Sequence, residues 1–284
     1  MRYQEYVPSA ILANAVRCIW TLEGNADDLM SAVQPILPDG RAEIVVHLGD
    51  SFEVMGERGV TQRQSRILFA GQLTGPLALR PTGAIAVVGV RFHADGATAF
   101  VNAPQHRIVG QTVELKDVSM RLARDLQDAC ASQPCLARVA RAAVRCLERH
   151  VDESRIDPHV RVAISEIRSQ HGTGSIDGAA ALTGISRRHL ERRFQEVVGI
   201  SPKRLARITR FQRALQTFER GTSGRRGAAT AAASGYADQA HFIRDFSELA
   251  GCSPEAHLLK DAMLARLFAR SEDPASEGLR RRRP

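Results

Sequence analysis

Two stretches in the second half of the chain hold side chains suited to the edges of DNA bases. The first reads Ser186-Arg187-Arg188-His189-Leu190-Glu191-Arg192-Arg193-Phe194, and the second Asp238-Gln239-Ala240-His241-Phe242-Ile243-Arg244-Asp245-Phe246. If each is a helix, Leu190 and Phe194, or Phe242 and Phe246, share one face at i, i+4 spacing and turn it to a core. Arg188, Glu191 and Arg192 then share an outward face of the first helix, with Arg187 at its start. Gln239, Ala240, His241 and Arg244 share that of the second. Arginine bonds guanine in bidentate fashion, glutamate accepts from cytosine, glutamine suits adenine, and alanine can meet a thymine methyl. For either stretch alone, the solvated face of an ordinary helical bundle is an equal reading.

The surroundings of the two stretches weigh against that reading, because they are written twice. The first copy has Ala180, Gly184, Ile185, Leu190, Phe194, Gly199, Ser201 and Pro202. The second has Ala231, Gly235, Tyr236, Phe242, Phe246, Gly251, Ser253 and Pro254. The offset is 51 residues at the alanine and glycine and 52 after the turn, a match over too many landmarks for chance. Each landmark has a physical task. The alanine lets two helices cross closely, and the glycine ends a helix in a left-handed turn. Ser186 or Asp238 caps the next helix. Gly-x-Ser-Pro then starts a further helix, with serine as cap and proline in the first turn. Helix, tight turn and second helix with one free face is the helix-turn-helix plan. Between the copies, the spacing of Leu205, Ile208, Phe211, Leu215 and Phe218 predicts one helix over 203–218. Arg204, Arg207 and Arg210 on it suit phosphate contacts or simple solvation.

Charge follows the same division. Residues 1–154 hold 16 Lys and Arg against 17 Asp and Glu, whereas residues 155–260 hold 17 against 10. A near-neutral region joined to a basic one fits a partner that is a polyanion. No apolar run reaches the ~18 residues of a membrane helix, and the N-terminus lacks a signal-peptide core. Five cysteines without a CxxC pair favour a reducing compartment. The expected location is therefore cytoplasmic, in association with the nucleoid.

The predicted fold class is α+β. Residues 1–151 form an N-terminal effector or dimerisation domain, β-rich to about 112 as a barrel or sandwich and helical over 113–151. Glu43–Leu48 and Ala84–His93 are strand candidates, the latter with Ala86, Val88, Val90 and Phe92 alternating on one face. Leu136, Val139, Ala140, Ala143, Val144 and Leu147 make a helical stripe that either packs on the barrel or forms a dimer seam. Pro134 separates it from an earlier helix. Residues 152–158 read as a linker and 159–267 as an all-α domain of two helix-turn-helix units joined by a long helix. Residues 268–284, with Arg280–Arg283, read as a disordered basic tail.

The repeat resembles the AraC/XylS family of transcription regulators, over about 156–260. Its most specific parts are Gly184-Ile185-Ser186 to Phe194, Gly199-Ile200-Ser201-Pro202, and Gly235-Tyr236-Ala237-Asp238-Gln239 to Phe246 with the Gly-x-Ser-Pro that follows. The resemblance implies two recognition helices entering successive major grooves of double-stranded DNA. By position, Arg188, Glu191 and Arg192, then Gln239, Ala240, His241 and Arg244, would read bases. One departure stands out: Gly227 and Thr230 occupy positions where the family usually has branched apolar residues. A helix-interior glycine costs about 1 kcal/mol against alanine, so the second unit is expected to be loosely packed. In the N-terminal half, Pro8, Leu12, Trp20, Pro38-Asp39-Gly40-Arg41-x-Glu43 and Gly89-Val90-Arg91-Phe92 are similar to the sensor region of some members. This implies a small-molecule effector, a homodimer, and contact with RNA polymerase if the protein activates.

Asp39, Arg41, Glu43 and His47 are the candidate effector-binding residues. His47 and His93, near Glu43 and Asp95, suggest a metal site of the barrel type, but no His-x-His cluster with a spaced glutamate supports it. No metal or cofactor is expected, and no nucleophile elbow or phosphate loop is present. The chain therefore reads as a non-enzyme. The competing class is a metal-dependent β-barrel enzyme fused to a helical module.

Overall fold

The computed structural model describes residues 1–56, 60–131, 133, 135–220, 226–259 and 262–269. Pro134 and the basic tail from residue 270 onward lie outside the described residues.

Ten strands form two antiparallel sheets. They are β1 (Arg2–Tyr6), β2 (Val16–Asn25), β3 (Gln34–Ile36), β4 (Glu43–His47), β5 (Glu53–Met55), β6 (Thr61–Arg63), β7 (Ile67–Ala70), β8 (Leu77–Arg80), β9 (Ala84–Phe92) and β10 (Thr112–Glu114). The six-stranded sheet has the order β1-β2-β9-β4-β7-β10, and the four-stranded sheet the order β3-β8-β5-β6. The sheets do not close on each other, so the sandwich reading describes the fold better than a barrel.

The larger sheet is the middle layer and is buried on both faces. Ile44, Val46, Val88, Val90 and Phe92 point to one core, beneath α1 (Leu115–Val118), α2 (Met120–Ala131) and α3 (Leu136–His150). The stripe on α3 is spent there: Val139, Ala140, Ala143, Val144 and Leu147 are all buried in that core, so it packs on the sheet and is not a free dimer seam. Trp20, Leu22, Ile85 and Val87 point the other way, toward Phe52 and Leu79. The sequence pattern of β9 shows one apolar face because Gly89 and Arg91 interrupt the opposite one; in fact Ile85, Val87, Gly89 and Arg91 are buried too. Trp20 pairs with Gly89 across β2 and β9. A Cβ at Gly89 would lie 2.0 Å from the indole, so only glycine leaves room for the ring.

The segment expected as a linker is a short ordered turn. Residues Glu153–Arg155 form one 3-10 turn, and the Arg155 Nη2 donates to the Val101 carbonyl at 2.8 Å. Asp157 then caps α4 (Pro158–Ser169), accepting from the backbone N–H of His159 and Val160, with Pro158 in the first turn. The remaining helices are α5 (Ile176–Thr183), α6 (Arg187–Val197), α7 (Pro202–Arg220), α8 (Arg226–Ala233), α9 (Gln239–Ala250), α10 (Pro254–Leu259) and α11 (Met263–Ala269). Among the described residues, no helix is long and apolar enough to cross a membrane.

The helical core is continuous with the sandwich. Leu37 and Ala94 from the sandwich loops belong to the same cluster as Leu205, Ile208 and Phe211. Arg161 Nε donates to Asp95 Oδ2 at 2.6 Å and its Nη2 to the Asn14 carbonyl at 2.7 Å. Gln212 Nε2 donates to the Pro38 carbonyl, and Arg204 to the Thr74 carbonyl. The last helix straddles the boundary: Leu264 joins the Trp20 cluster while Ala265 joins the helical core.

Candidate nucleic-acid interface and the cavity behind it

The doubled pattern folds into a doubled structure. Gly184 (φ +71°) and Gly235 (φ +75°) both take the left-handed turn. Ser186 then accepts from the His189 N–H, and Asp238 from the His241 N–H, capping α6 and α9. After each recognition helix, Gly199 (φ +90°) and Gly251 (φ +70°) turn the chain. Ser201 and Ser253 accept from the N–H of Arg204 and Ala256, capping α7 and α10. Helix α7 has 19 residues, about 28 Å at 1.5 Å per residue. It is the frame on which both units are built.

The first recognition helix leaves its cations open. Arg188 and Arg192 are exposed and make no ion pair among the described residues. Arg187 bridges Asp177 of α5 at 2.8 Å and Glu191 at 3.0 Å, so Glu191 is held in place by Arg187. Arg193 turns inward and bonds the capping residue Asp157, which locks α6 to α4. Leu190 and Phe194 are fully buried.

The second helix differs. Gln239, Ala240 and Arg244 are exposed, but His241 is half-buried. Its ring stands edge-on to Tyr236 at 5.1 Å. Behind it, Phe242 and Phe246 meet Phe218, Phe211 and Tyr236 at centroid distances of 5.4–6.1 Å. The second unit is therefore not loosely packed. Helix α8 does contribute only small buried side chains, Thr230 and Ala231, but the aromatic cluster supplies what α8 lacks. A Cβ at Gly227 would lie 2.7 Å from Gln239 Nε2, the end of an exposed side chain that can swing aside.

Arg204, Arg207 and Arg210 of α7 are half-buried and ion-paired. Arg207 bonds Asp245 at 2.8 Å and also Glu248. Arg210 bonds Asp245 at 3.2 Å and lies 4.6 Å from the centre of the Tyr236 ring. Arg204 bonds Glu248 at 2.9 Å. They tie α7 to α9, and the Glu248 carboxyl is held below its ordinary range chiefly by the hydrogen bond from Arg207. Sequence spacing shows these arginines on one face but not which carboxylates they meet.

A family model described as a helix-turn-helix domain matches residues 179–259, and another, a domain of unknown function (DUF6597), matches residues 4–114. Residues 179–259 are a helix-turn-helix domain. Among solved structures, the chain is similar to ToxT from Vibrio cholerae strain SCE256 with a bound unsaturated fatty acid. That likeness has 12 % identity and a TM-score of 0.45, and covers 84 % of this chain and 95 % of the other. A transcriptional regulator of the AraC-type DNA-binding class from Chromobacterium violaceum matches at 24 % identity and a TM-score of 0.30, over 41 % of this chain and 95 % of that one. The AraC-like transcriptional activator CuxR matches at 15 % identity and a TM-score of 0.27, over 79 % and 82 % of the two chains. No curated protein sequence matches.

Behind the helix-turn-helix domain lies a partly open cavity of roughly 100 Å³, bounded by the two sheets and bordered by α7 and α11. Asp39, Arg41, Glu43 and His47 all lie on its wall, as do Trp20 and Phe52. Among the lining residues that sequence did not single out for this site are Arg91, Gln212, Leu215 and Leu264. Arg91 is buried, bonds Glu43 at 2.5 Å and lies 3.6 Å from Asp39. The Gly89–Phe92 motif pointed to its strand but not to its partners. His47 Nε2 lies 3.1 Å from Gln64 Oε1, and burial pushes the imidazole down to about 4. It is therefore neutral at pH 7. His93 does not join it: its Nε2 lies 3.2 Å from the Ala13 carbonyl, and Asp95 is bound by Arg161. Among the described residues, no group of three or more His, Cys, Asp or Glu side chains is placed to hold a metal ion.

Proposed function

We propose that this chain is a sequence-specific, effector-responsive transcription regulator of the AraC type. The observation that carries it is the doubled helix, glycine turn and capped helix, mounted on the single frame of α7. In this reading α6 and α9 enter successive major grooves of double-stranded DNA. Arg188 and Arg192 read guanines, while Arg187 fixes the carboxylate of Glu191 for a cytosine. Gln239, Ala240, His241 and Arg244 form the second reading face, with His241 steadied by Tyr236. Asp39, Arg41, Glu43 and His47 belong to an effector site in the cavity behind. A homodimer, and contact with RNA polymerase if the protein activates, belong to the same reading.

Gel-shift and footprinting assays on the promoter region beside its own gene test it. Specific binding is expected to weaken steeply with added salt, since phosphate contacts release counterions. The double variant Arg188→Ala, Arg192→Ala is expected to lose about thirtyfold or more in specific affinity, at ~1–3 kcal/mol for each arginine. Unchanged affinity in that variant would remove α6 from the reading.

A further inference from the structure

The two recognition helices end on the sandwich, and the loops that receive them are bonded to each other. Gly199 follows α6, and a Cβ there would lie 2.8 Å from Val109 Cγ2 and 3.0 Å from the Gln105 carbonyl oxygen. Gly251 closes α9, and a Cβ there would lie 2.8 Å from Pro76 Cγ. These are corresponding glycines of the repeat, so the same corner of each unit is seated. Between the two seats, Arg204 in the first turn of α7 donates to the Thr74 carbonyl. The Gly110 N–H donates to the Gln72 carbonyl at 2.8 Å, and the Gly71 N–H to the Gln111 carbonyl at 3.0 Å. Loops 71–76 and 105–111 therefore form one saddle under both units. The seats leave the reading faces clear, since Arg188, Arg192, Gln239 and Arg244 are exposed.

The saddle has a second side. Loop 71–76 joins β7 of the six-stranded sheet to β8 of the four-stranded sheet, so it crosses the gap in which the cavity lies. Gly71 and Leu73 in the loop, and Leu77 just beyond it, are on the cavity wall. Leu73 and Leu77 are half-buried and keep accessible surface. The base of the loop is pinned. Gln72 is buried and donates through Nε2 to the carbonyls of Gly40 at 3.1 Å and Ala94 at 3.3 Å. A Cβ at Gly71 would fall 2.1 Å from the Ile108 carbonyl oxygen, so the two loops have no slack between them. Segments packed this closely shift together and transmit strain.

Resting on the effector reading above, we propose that this saddle is the joint between the cavity and the DNA-reading units. Leu73 and Leu77 register what fills the cavity. Pro76 and Val109, neither of them on the cavity wall, are positioning residues that carry the shift to the ends of α9 and α6. The joint reaches both units at once, so occupancy of one cavity alters the placement of both recognition helices.

Coupling between two sites is reciprocal, so an operator that responds to the cavity must also act on it. The operator duplex defined by footprinting is therefore the probe, and no effector is needed. Hydrogen exchange of the full chain is followed with and without that duplex. Peptides over 71–77 and 105–111 are expected to change their exchange rates by at least about fivefold, the lower end of coupling between sites. Peptides over α2 and α3, across the larger sheet, are expected to stay unchanged. Trp20 is the single tryptophan and part of the cavity wall; its quenching by acrylamide reports the cavity side and is expected to change as well. The double variant Pro76→Ala, Val109→Ala is expected to bind the operator and keep its melting temperature while both responses are lost. Operator binding with no change at 71–77 and 105–111, or with an equal change in α2 and α3, would overturn the joint; a response of Trp20 in that case would leave the effector cavity standing. A double variant that responds as fully as the unaltered chain would overturn the joint too, and the unaltered chain decides alone if the variant fails to fold. No operator binding by the unaltered chain would overturn the regulator reading and the joint together.

Discussion

The two helix-turn-helix units share one backbone plan and differ in where they spend their charge. Helix α6 carries Arg187, Arg188, Arg192 and Arg193 against Glu191 and Glu196, whereas α9 carries Arg244 against Asp245 and Glu248. The first unit keeps two arginines open at its surface. The second uses its carboxylates to hold three arginines of α7 against its own flank. Its core carries ring-on-ring contacts, whereas Leu190 and Phe194 of the first unit pack among aliphatic side chains such as Ile164, Ile167 and Val198. In the proposed reading, the first unit mainly attracts a polyanion and the second mainly fixes the frame. The asymmetry favours α6 for specificity, on grounds of charge and not of loose packing in the second unit.

Four measurements would break or sharpen this contrast. The largest effect is expected in the aromatic cluster: Phe246→Ala should cost about 3–5 kcal/mol in denaturant unfolding. Phe194→Ala should cost about 1 kcal/mol less, because Phe194 meets no other ring among the described residues. Equal losses would erase the difference in packing. Next, Asp245→Asn should cost about 1–3 kcal/mol by taking the buried carboxylate from Arg210 and leaving Arg207 only Glu248, whereas Asp177→Asn, at an exposed pair, should leave the unfolding midpoint unchanged. Third, Arg188→Ala or Arg192→Ala should each weaken operator binding by about 1–3 kcal/mol, and Gln239→Ala by less than about 1 kcal/mol, measured by fluorescence anisotropy. A larger loss at Gln239 would reverse the ranking of the two units. The smallest effect is expected at Gly227→Ala. Helix propensity should raise stability by up to about 1 kcal/mol, and the new methyl should push Gln239 aside, shifting base preference beneath it without lowering the melting temperature.

What the sequence made legible was local. The glycine turns, the Ser186 and Asp238 caps and the Ser-Pro helix starts depend on neighbours within a few residues, and each stands as expected. The strand in Ala84–Phe92 was legible for the same reason. The choice of partners across the chain was not. Arg204, Arg207 and Arg210 show only that one face of α7 is basic; that Asp245 and Glu248 meet them depends on how α9 docks. The cavity was half legible. Asp39, Arg41, Glu43 and His47 come from one turn and strand, but Gln212, Leu215 and Leu264 arrive from far along the chain through domain packing. Periodicity also left the stripe on α3 open between two uses, and packing on the sheet took it.

Helix α7 has one consequence for how such a molecule can change. The same 19 residues wall the cavity through Gln212 and Leu215, rest Leu205 against Gly40, and anchor α9 through Arg207. Sensing and reading are therefore not exchangeable cassettes. A chimera that takes its sandwich from one relative and its helix-turn-helix domain from another must carry over the matching face of α7, or it will inherit a cavity with the wrong floor. In the proposed reading, substitutions at Gln212 would be felt at the operator, because the same helix anchors α9 through Arg207.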